Sequence, residues 1–221
     1  MTRPDILYAI AILSKQLAKP AQKHWAAAKR VLSYLHHTRD EFLLLGNLCR
    51  AEDAFKLRAY ADATWADDTE NRRSRTGGVM FFNGSMISAW SKQQATVALS
   101  STDAEYQALS IATQEVMYYR QLLNELKWPQ VGPTQLLGDN QGALDLTVST
   151  KHHPRVKHID FRFHFIREQV KMNTIDLGYI ATGDQIADIF TKPLARIPFE
   201  KLKAALHVQA WGGVKNNSAV L

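Results

Sequence analysis

The chain has 221 residues, 46% hydrophobic and 22% charged, proportions that exclude disorder for the bulk of it and suit one good-sized folded domain with an appendage. Its 27 lysines and arginines outnumber its 21 acids, leaving a net charge of +6 that favours a polyanionic partner. A single cysteine, Cys49, excludes an intrachain disulfide and a cysteine-rich zinc site and fits a reducing, intracellular compartment; Lys15 breaks the first apolar stretch well short of the roughly 20 apolar residues that cross a membrane.

In chain order, residues 4–18 and 21–37 predict two helices separated at Pro20, the first striped by Ile6, Ile10, Leu13 and Leu17 and the second by Trp25, Ala28, Leu32 and Leu35. This helical hairpin occupies residues 1–50, and loss of period over 46–56 marks a boundary before a second unit spanning 55–208. That unit opens with an alternating strand, LRAYADA, then an arginine-bearing loop, then two apolar runs joined by Asn83-Gly84, a strong signal for a hairpin turn. A long helix over 102–126 follows, striped by Leu109, Ala112, Val116, Tyr119, Leu123 and Leu126. TQLLGD reads as a buried strand, Asn140 as the cap of a short helix through Ser149, and 159–172 as a helix carrying Ile159, Phe163, Ile166 and Val170 on one face. IDLGYI predicts a fifth strand, 184–194 a last helix before Pro198, and 209–221 a flexible tail. The order β-β-β-α-β-α-α-β-α describes an α/β protein with a five-stranded mixed sheet flanked by helices.

Aspartate is depleted in strands, so Asp62, at the end of the first strand on the side of Arg58 and Tyr60, stands out. Asp139 also ends a strand, and acids at the carboxyl ends of neighbouring strands can share one crevice. Glu105, in the first turn of the long helix, and Asp188, in the last helix, could complete the group. Each has a plainer reading. Glu105 stands three residues after Thr102, as in a capping box; Asp139 could open a turn with Asn140; Asp188 could be a solvated helix residue. Gathered together, four carboxylates repel and require protons or cations. Magnesium, or manganese, suits an all-oxygen site, and two such ions about 4 Å apart can activate water against a phosphodiester.

These segments together resemble the ribonuclease H domain of copia-type LTR retrotransposon polyproteins. The matching pieces are YADATWADD at 60–68, RRSRTGG at 72–78, SAWSKQQATVALSSTDAEYQAL at 88–109, GDNQGAL at 138–144, and VKHIDFRFHFIRE through QIADIFTKPL at 156–194. Residues 2–37 look like the C-terminal end of the reverse transcriptase that precedes this domain in such polyproteins. The resemblance implies a ribonuclease H-like fold and an endonuclease that cuts the RNA strand of RNA/DNA hybrids by a two-metal-ion mechanism, leaving 5′-phosphate and 3′-hydroxyl ends. It implies Asp62, Glu105, Asp139 and Asp188 as catalytic acids holding two Mg2+ ions, with Mn2+ as the alternative. It places Ser101, Thr102 and Gln141 at the minor groove of the hybrid, where the 2′-hydroxyl distinguishes RNA. It sets Ser100 and the arginines around Ser74 toward phosphates, and Arg73, Ser74 and Asn140 join the substrate-binding set. The implied partners are the hybrid and the upstream reverse transcriptase of the parent polyprotein, with no membrane and an undetermined oligomeric state. The setting is the cytoplasm, the nucleus or virus-like particles. One departure concerns the histidine that many cellular ribonucleases H carry before the last acid: here Tyr179-Ile180-Ala181-Thr182 leads to Asp188 without one, which puts turnover in question.

Other patterns weigh less. Trp65-Ala66-Asp67-Asp68 mimics the paired aspartates of a polymerase palm, but fewer than 65 residues precede it and a palm needs more, so it reads as a decoy. Residues 151–171 hold six lysines and arginines, two acids and four histidines, a basic face along a duplex in preference to a zinc site. The competing class of function is a catalytically inactive nucleic-acid-binding remnant of a retrotransposon polyprotein. An integrase-like strand transferase fits less well, because its final acid is usually glutamate and here the glutamate comes second.

Overall fold

The computed structural model describes residues 2–46, 48–50, 54–148 and 160–210. Its centre is a five-stranded mixed sheet in the order β4-β3-β2-β5-β6. Strands β2 (Leu57–Thr64), β3 (Arg75–Phe82) and β4 (Ser85–Gln93) run antiparallel, whereas β5 (Thr134–Gly138) and β6 (Ile175–Tyr179) extend the sheet in parallel from β2. The β3–β4 turn has φ of 53° at Asn83 and 77° at Gly84, the two positive values that an Asn-Gly hairpin supplies at little cost. Helices α3 (Ser101–Glu125), α4 (Gln141–Val148) and α5 (Asp160–Lys171) provide the crossovers.

Alternation along β2 divides the core. Leu57, Ala59 and Ala61 pack with Tyr106, Leu109, Ala112 and Val116 of α3 on one face, while Tyr60 packs with Ile189, Phe190, Leu202 and Leu206 on the other. The second face is covered by α6 (Arg196–Ala205) and by Leu7 of α1 (Leu7–Ser14). A long helix, α2 (Gln22–His37), completes the N-terminal pair.

Several elements depart from the sequence reading. The helix expected over 184–194 is two 3₁₀ turns, Thr182–Asp184 and Ile186–Phe190. Between them Gln185 is extended (ψ 101°) and fully buried, its amide bonded to the Ala61 carbonyl and its oxygen to the Ala187 amide, which interrupts an α-helix. Pro198 does not follow the last helix. It lies in the first turn of α6, where a missing N–H leaves no intrahelical bond unmade. A two-stranded sheet was unread: β1 (Glu41–Leu43) pairs antiparallel with β7 (Val208–Ala210), so residues 209 and 210 are strand and not flexible tail. Three-residue strands carry too little periodicity to show in sequence; their partner lies some 165 residues away. The first helix ends at Ser14, not at 18. The remainder of the expected tail (211–221), the end of the expected helix at Ser149, and residues 151–159 of the histidine-rich basic stretch, with Ile159, lie outside the described residues.

The N-terminal segment is bound into the rest. Arg3 pairs with Asp5 at 2.7 Å and donates to Thr38, Tyr34 donates to Asp5, and Lys203 of α6 meets Glu41 of β1 at 3.0 Å. Lys15 forms an ion pair with Asp68, which also accepts from Gln93 and from the Glu70 amide, so its carboxyl is held below the usual carboxylate range, chiefly by Lys15. Asp67 pairs with buried Arg75 at 3.1 Å, whose guanidinium lies 5.6 Å from the Tyr8 ring. The Asp67-Asp68 pair thus joins segments together. No helix among the described residues is long and apolar enough to cross a membrane.

Candidate metal centre

Asp62 shares the Tyr60 face of β2 by alternation. The parallel register ends with Tyr60 opposite Leu137, and just beyond that last pair Asp62 and Asp139 come within 4.8 Å of each other. Asp62 is not the last residue of its strand. β2 continues to Thr64 because β3 keeps pairing as far as Arg75, whereas pairing with β5 stops at Leu137, and this opens the crevice. Glu105 arrives from α3, where its carboxylate accepts the Ala63 amide. Among the described residues, Asp62, Glu105 and Asp139 each offer an oxygen within 4.8 Å of the others. Asp188 stands beside this triad on the Ile186–Phe190 turn, hydrogen-bonded to Asp62.

The capping reading of Glu105 gives way to a different cap. The Asp103 amide donates to Ser100 Oγ at 3.1 Å and the Asp103 carboxylate accepts the Leu99 amide at 2.9 Å, so α3 begins one residue earlier than expected and Glu105 is left for the crevice.

With Asp62 2%, Asp188 5% and Glu105 9% exposed, these acids sit almost out of water. Burial, then Asp62 and Asp139, pushes Glu105 up to about 10 against the Ala63 amide. Burial and Asp62 lift Asp188 to about 7 although Lys192 opposes them, and burial lifts Asp139 against a hydrogen bond from Thr182. Burial alone would lower the Lys192 ammonium; Asp188, Asp62 and Asp139 together raise it. Such a group holds protons that a cation would replace. Its donors are all carboxylate oxygens, which suit magnesium or manganese over softer metals. The residues therefore fit a divalent ion.

Supporting contacts were not legible from the motifs. Thr191 donates its hydroxyl to Asp62, and Lys192 reaches Asp188 Oδ1 at 2.8 Å. Both lie in QIADIFTKPL, and the spacing of four from Asp188 to Lys192 was the available signal. Gly77 faces Asp62 across the sheet; a Cβ there would meet Thr191 Cγ2 at 2.5 Å and Phe190 Cβ at 2.8 Å, so glycine lets the turn bearing Asp188 approach the strand.

The expected substrate contacts divide. Ser101 and Gln141 are exposed and Thr102 half-buried at the starts of α3 and α4; a Cβ on Gly142 would lie 3.7 Å from Thr102 Oγ1, so the two helix starts adjoin. Asn140 caps α4 through the Ala143 amide at 3.0 Å. Ser100 is exposed but its hydroxyl oxygen caps α3. Arg73 is exposed. Ser74 does not face solvent as expected: it is fully buried beneath the loop and accepts the Ala66 amide at 3.0 Å, so it cannot touch a phosphate.

No protein-family model matches the chain. Among solved structures, LC11-RNase H1 isolated from compost has a TM-score of 0.48 and 15% identity, over 62% of this chain and 93% of that one. The chain is 39% identical over 209 residues to the retrovirus-related Pol polyprotein from transposon RE2 of Arabidopsis thaliana, a match that covers 94% of the chain and 14% of the polyprotein. It is likewise 39% identical over 202 residues to that from transposon TNT 1-94 of Nicotiana tabacum, covering 91% of the chain and 15% of the polyprotein. The chain thus spans about one seventh of the length of these relatives. Sequence likeness over nearly its whole length, together with the sheet order described above, shows that the chain is a ribonuclease H-like domain homologous to a segment of copia-type retrotransposon Pol polyproteins.

Proposed function

We propose that the chain is an endonuclease that hydrolyses the RNA strand of RNA/DNA hybrids during reverse transcription of a retrotransposon, inside the cell. The observation that carries this reading is the convergence of Asp62, Glu105 and Asp139 within 4.8 Å, with Asp188 bonded to Asp62. These four carboxylates are the groups that would hold divalent magnesium or manganese. A cation held there supplies positive charge against a phosphodiester and makes water more acidic. Thr191 and Thr182 fix the orientation of Asp62 and Asp139, and the Ala63 amide fixes Glu105, so the oxygens are arranged in advance. The adjoining starts of α3 and α4 present Ser101, Thr102 and Gln141 beside the crevice, hydroxyl and amide groups able to meet a minor groove and a 2′-hydroxyl. Arg73, exposed on its loop, is available to a phosphate. In the parent polyprotein the upstream reverse transcriptase would supply the hybrid.

The test is cleavage of an end-labelled RNA/DNA hybrid with magnesium, beside Asp139→Asn and a chelated control. Wild-type protein is expected to yield 5′-phosphate products, and the variant to lose roughly 100-fold or more, because even outer contacts to a metal site cost up to about that factor. Binding of the hybrid without magnesium-dependent cleavage would instead identify an inactive nucleic-acid-binding remnant.

A further inference from the structure

The acids have a cationic neighbour that the proposed chemistry does not use. Lys192 Nζ lies 2.8 Å from Asp188 Oδ1, and its charge also acts on Asp62 and Asp139. The two side chains differ in access: that of Asp188 is 7% exposed and that of Lys192 34%. The ammonium therefore approaches the acids from solvent, on a flexible stem. The backbone beside it is held, since Thr191 is fully buried and bonded to Asp62, and Pro193 follows directly. The lysine side chain can swing outward without moving the carboxylates it leaves.

A divalent cation entering this group must meet that ammonium. Like charges a few ångströms apart repel, and two cations cannot share the same face of Asp188. We propose that Lys192 is a displaceable counter-cation of the acidic centre, pairing with Asp188 while the centre holds no metal and turned out by the incoming ion toward the phosphate backbone of a bound nucleic acid. The proposal rests on the reading of the cluster as a divalent-metal site. Lys192 is a positioning and substrate-contacting group here, exchanging one anionic partner for another as the centre fills.

Binding of Mn2+ alone to the whole chain, followed by isothermal titration calorimetry, separates the possibilities. Removing the competing charge in Lys192→Met should tighten Mn2+ binding by roughly tenfold, the factor that a unit charge a few ångströms from a divalent ion produces under strong screening. At saturating metal the same variant should bind the hybrid more weakly, with a salt dependence shallower by about one phosphate contact. Lys192→Arg should restore the salt dependence. Lys192→Gln carries the same expectations and serves if the methionine variant fails to fold. Tighter Mn2+ binding with the altered salt slope supports the exchange. If the wild-type protein takes up Mn2+ and neither variant binds it more tightly, the role of Lys192 falls while the metal site stands. If the wild-type protein takes up none, both fall.

Discussion

At the scale of single residues, gathering the acids costs stability. Glu105 is raised from its ordinary value near 4.5 to about 10, so between those pH values the metal-free folded protein holds a proton that the unfolded chain has released. Stability consequently falls as pH rises through that window. Below it the residue is protonated in both states and contributes nothing. Glutamine imitates the protonated acid, keeping an acceptor for the Ala63 amide and a donor toward Asp62. In chelator, Glu105→Gln should therefore be nearly neutral at pH 4 and stabilising at pH 8, by about 1–2 kcal/mol or roughly 2–8 °C in Tm, and with magnesium restored it should fail to cleave the hybrid. A melting series across pH checks this, and a Tm gain as large at pH 4 as at pH 8 would refute the electrostatic cause. Asp188→Asn should behave alike over a narrower window, since Asp188 rises only to about 7. Asp62, Glu105, Asp139 and Asp188 could be named from the motifs because each acid lies in a run with its own residue pattern. Thr182 and Thr191 could not be assigned, because their partners are 43 and 129 residues away and a hydroxyl signals nothing until its partner is in place; Lys192 had its spacing of four from Asp188, but that spacing equally marks a plain surface ion pair.

At the scale of elements, the strands and the long helix were legible and the last segment was not. β2, β3, β4 and α3 have clean periods of 2 or 3.6 and a turn or cap to bound them. The stretch 186–190 has apolar residues three and four apart, which suits an α-helix and a 3₁₀ turn equally; the choice is made by Gln185, which spends its amide on the Ala61 carbonyl of β2. Packing of that turn depends on Gly77. In Gly77→Ala the new Cβ would press on Phe190 Cβ and the Ala187 carbonyl, neither of which can rotate away. The expected cost is about 1–3 kcal/mol, as for other overpacked cores. Because the displaced turn carries Asp188 and Thr191, Mn2+ affinity should fall with it; calorimetry finding affinity intact would show that the turn does not position the acids.

At the scale of the whole molecule, the N-terminal hairpin and the C-terminal strand are fastened to the sheet. Leu7 and Leu43 pack on the second core, β1 pairs with β7, Lys203 meets Glu41, and Lys15 meets Asp68. Deleting residues 2–45 should expose that face and lower stability by at least about 3 kcal/mol, or roughly 6–12 °C, the scale of uncovering two leucines. An unchanged Tm would instead favour a hairpin that folds apart from residues 55–208. The α/β class, the strand–strand–strand–helix order, the family resemblance and four candidate acids could be read from the sequence, because those follow from local period, turn chemistry and motif. It took the folded chain to bring Asp62 and Asp139 together, to bury Ser74, to pair segments some 165 residues apart as β1 and β7, and to set a lysine among the acids. Such facts depend on register and on contacts between distant segments, and neither leaves a periodic trace in the chain.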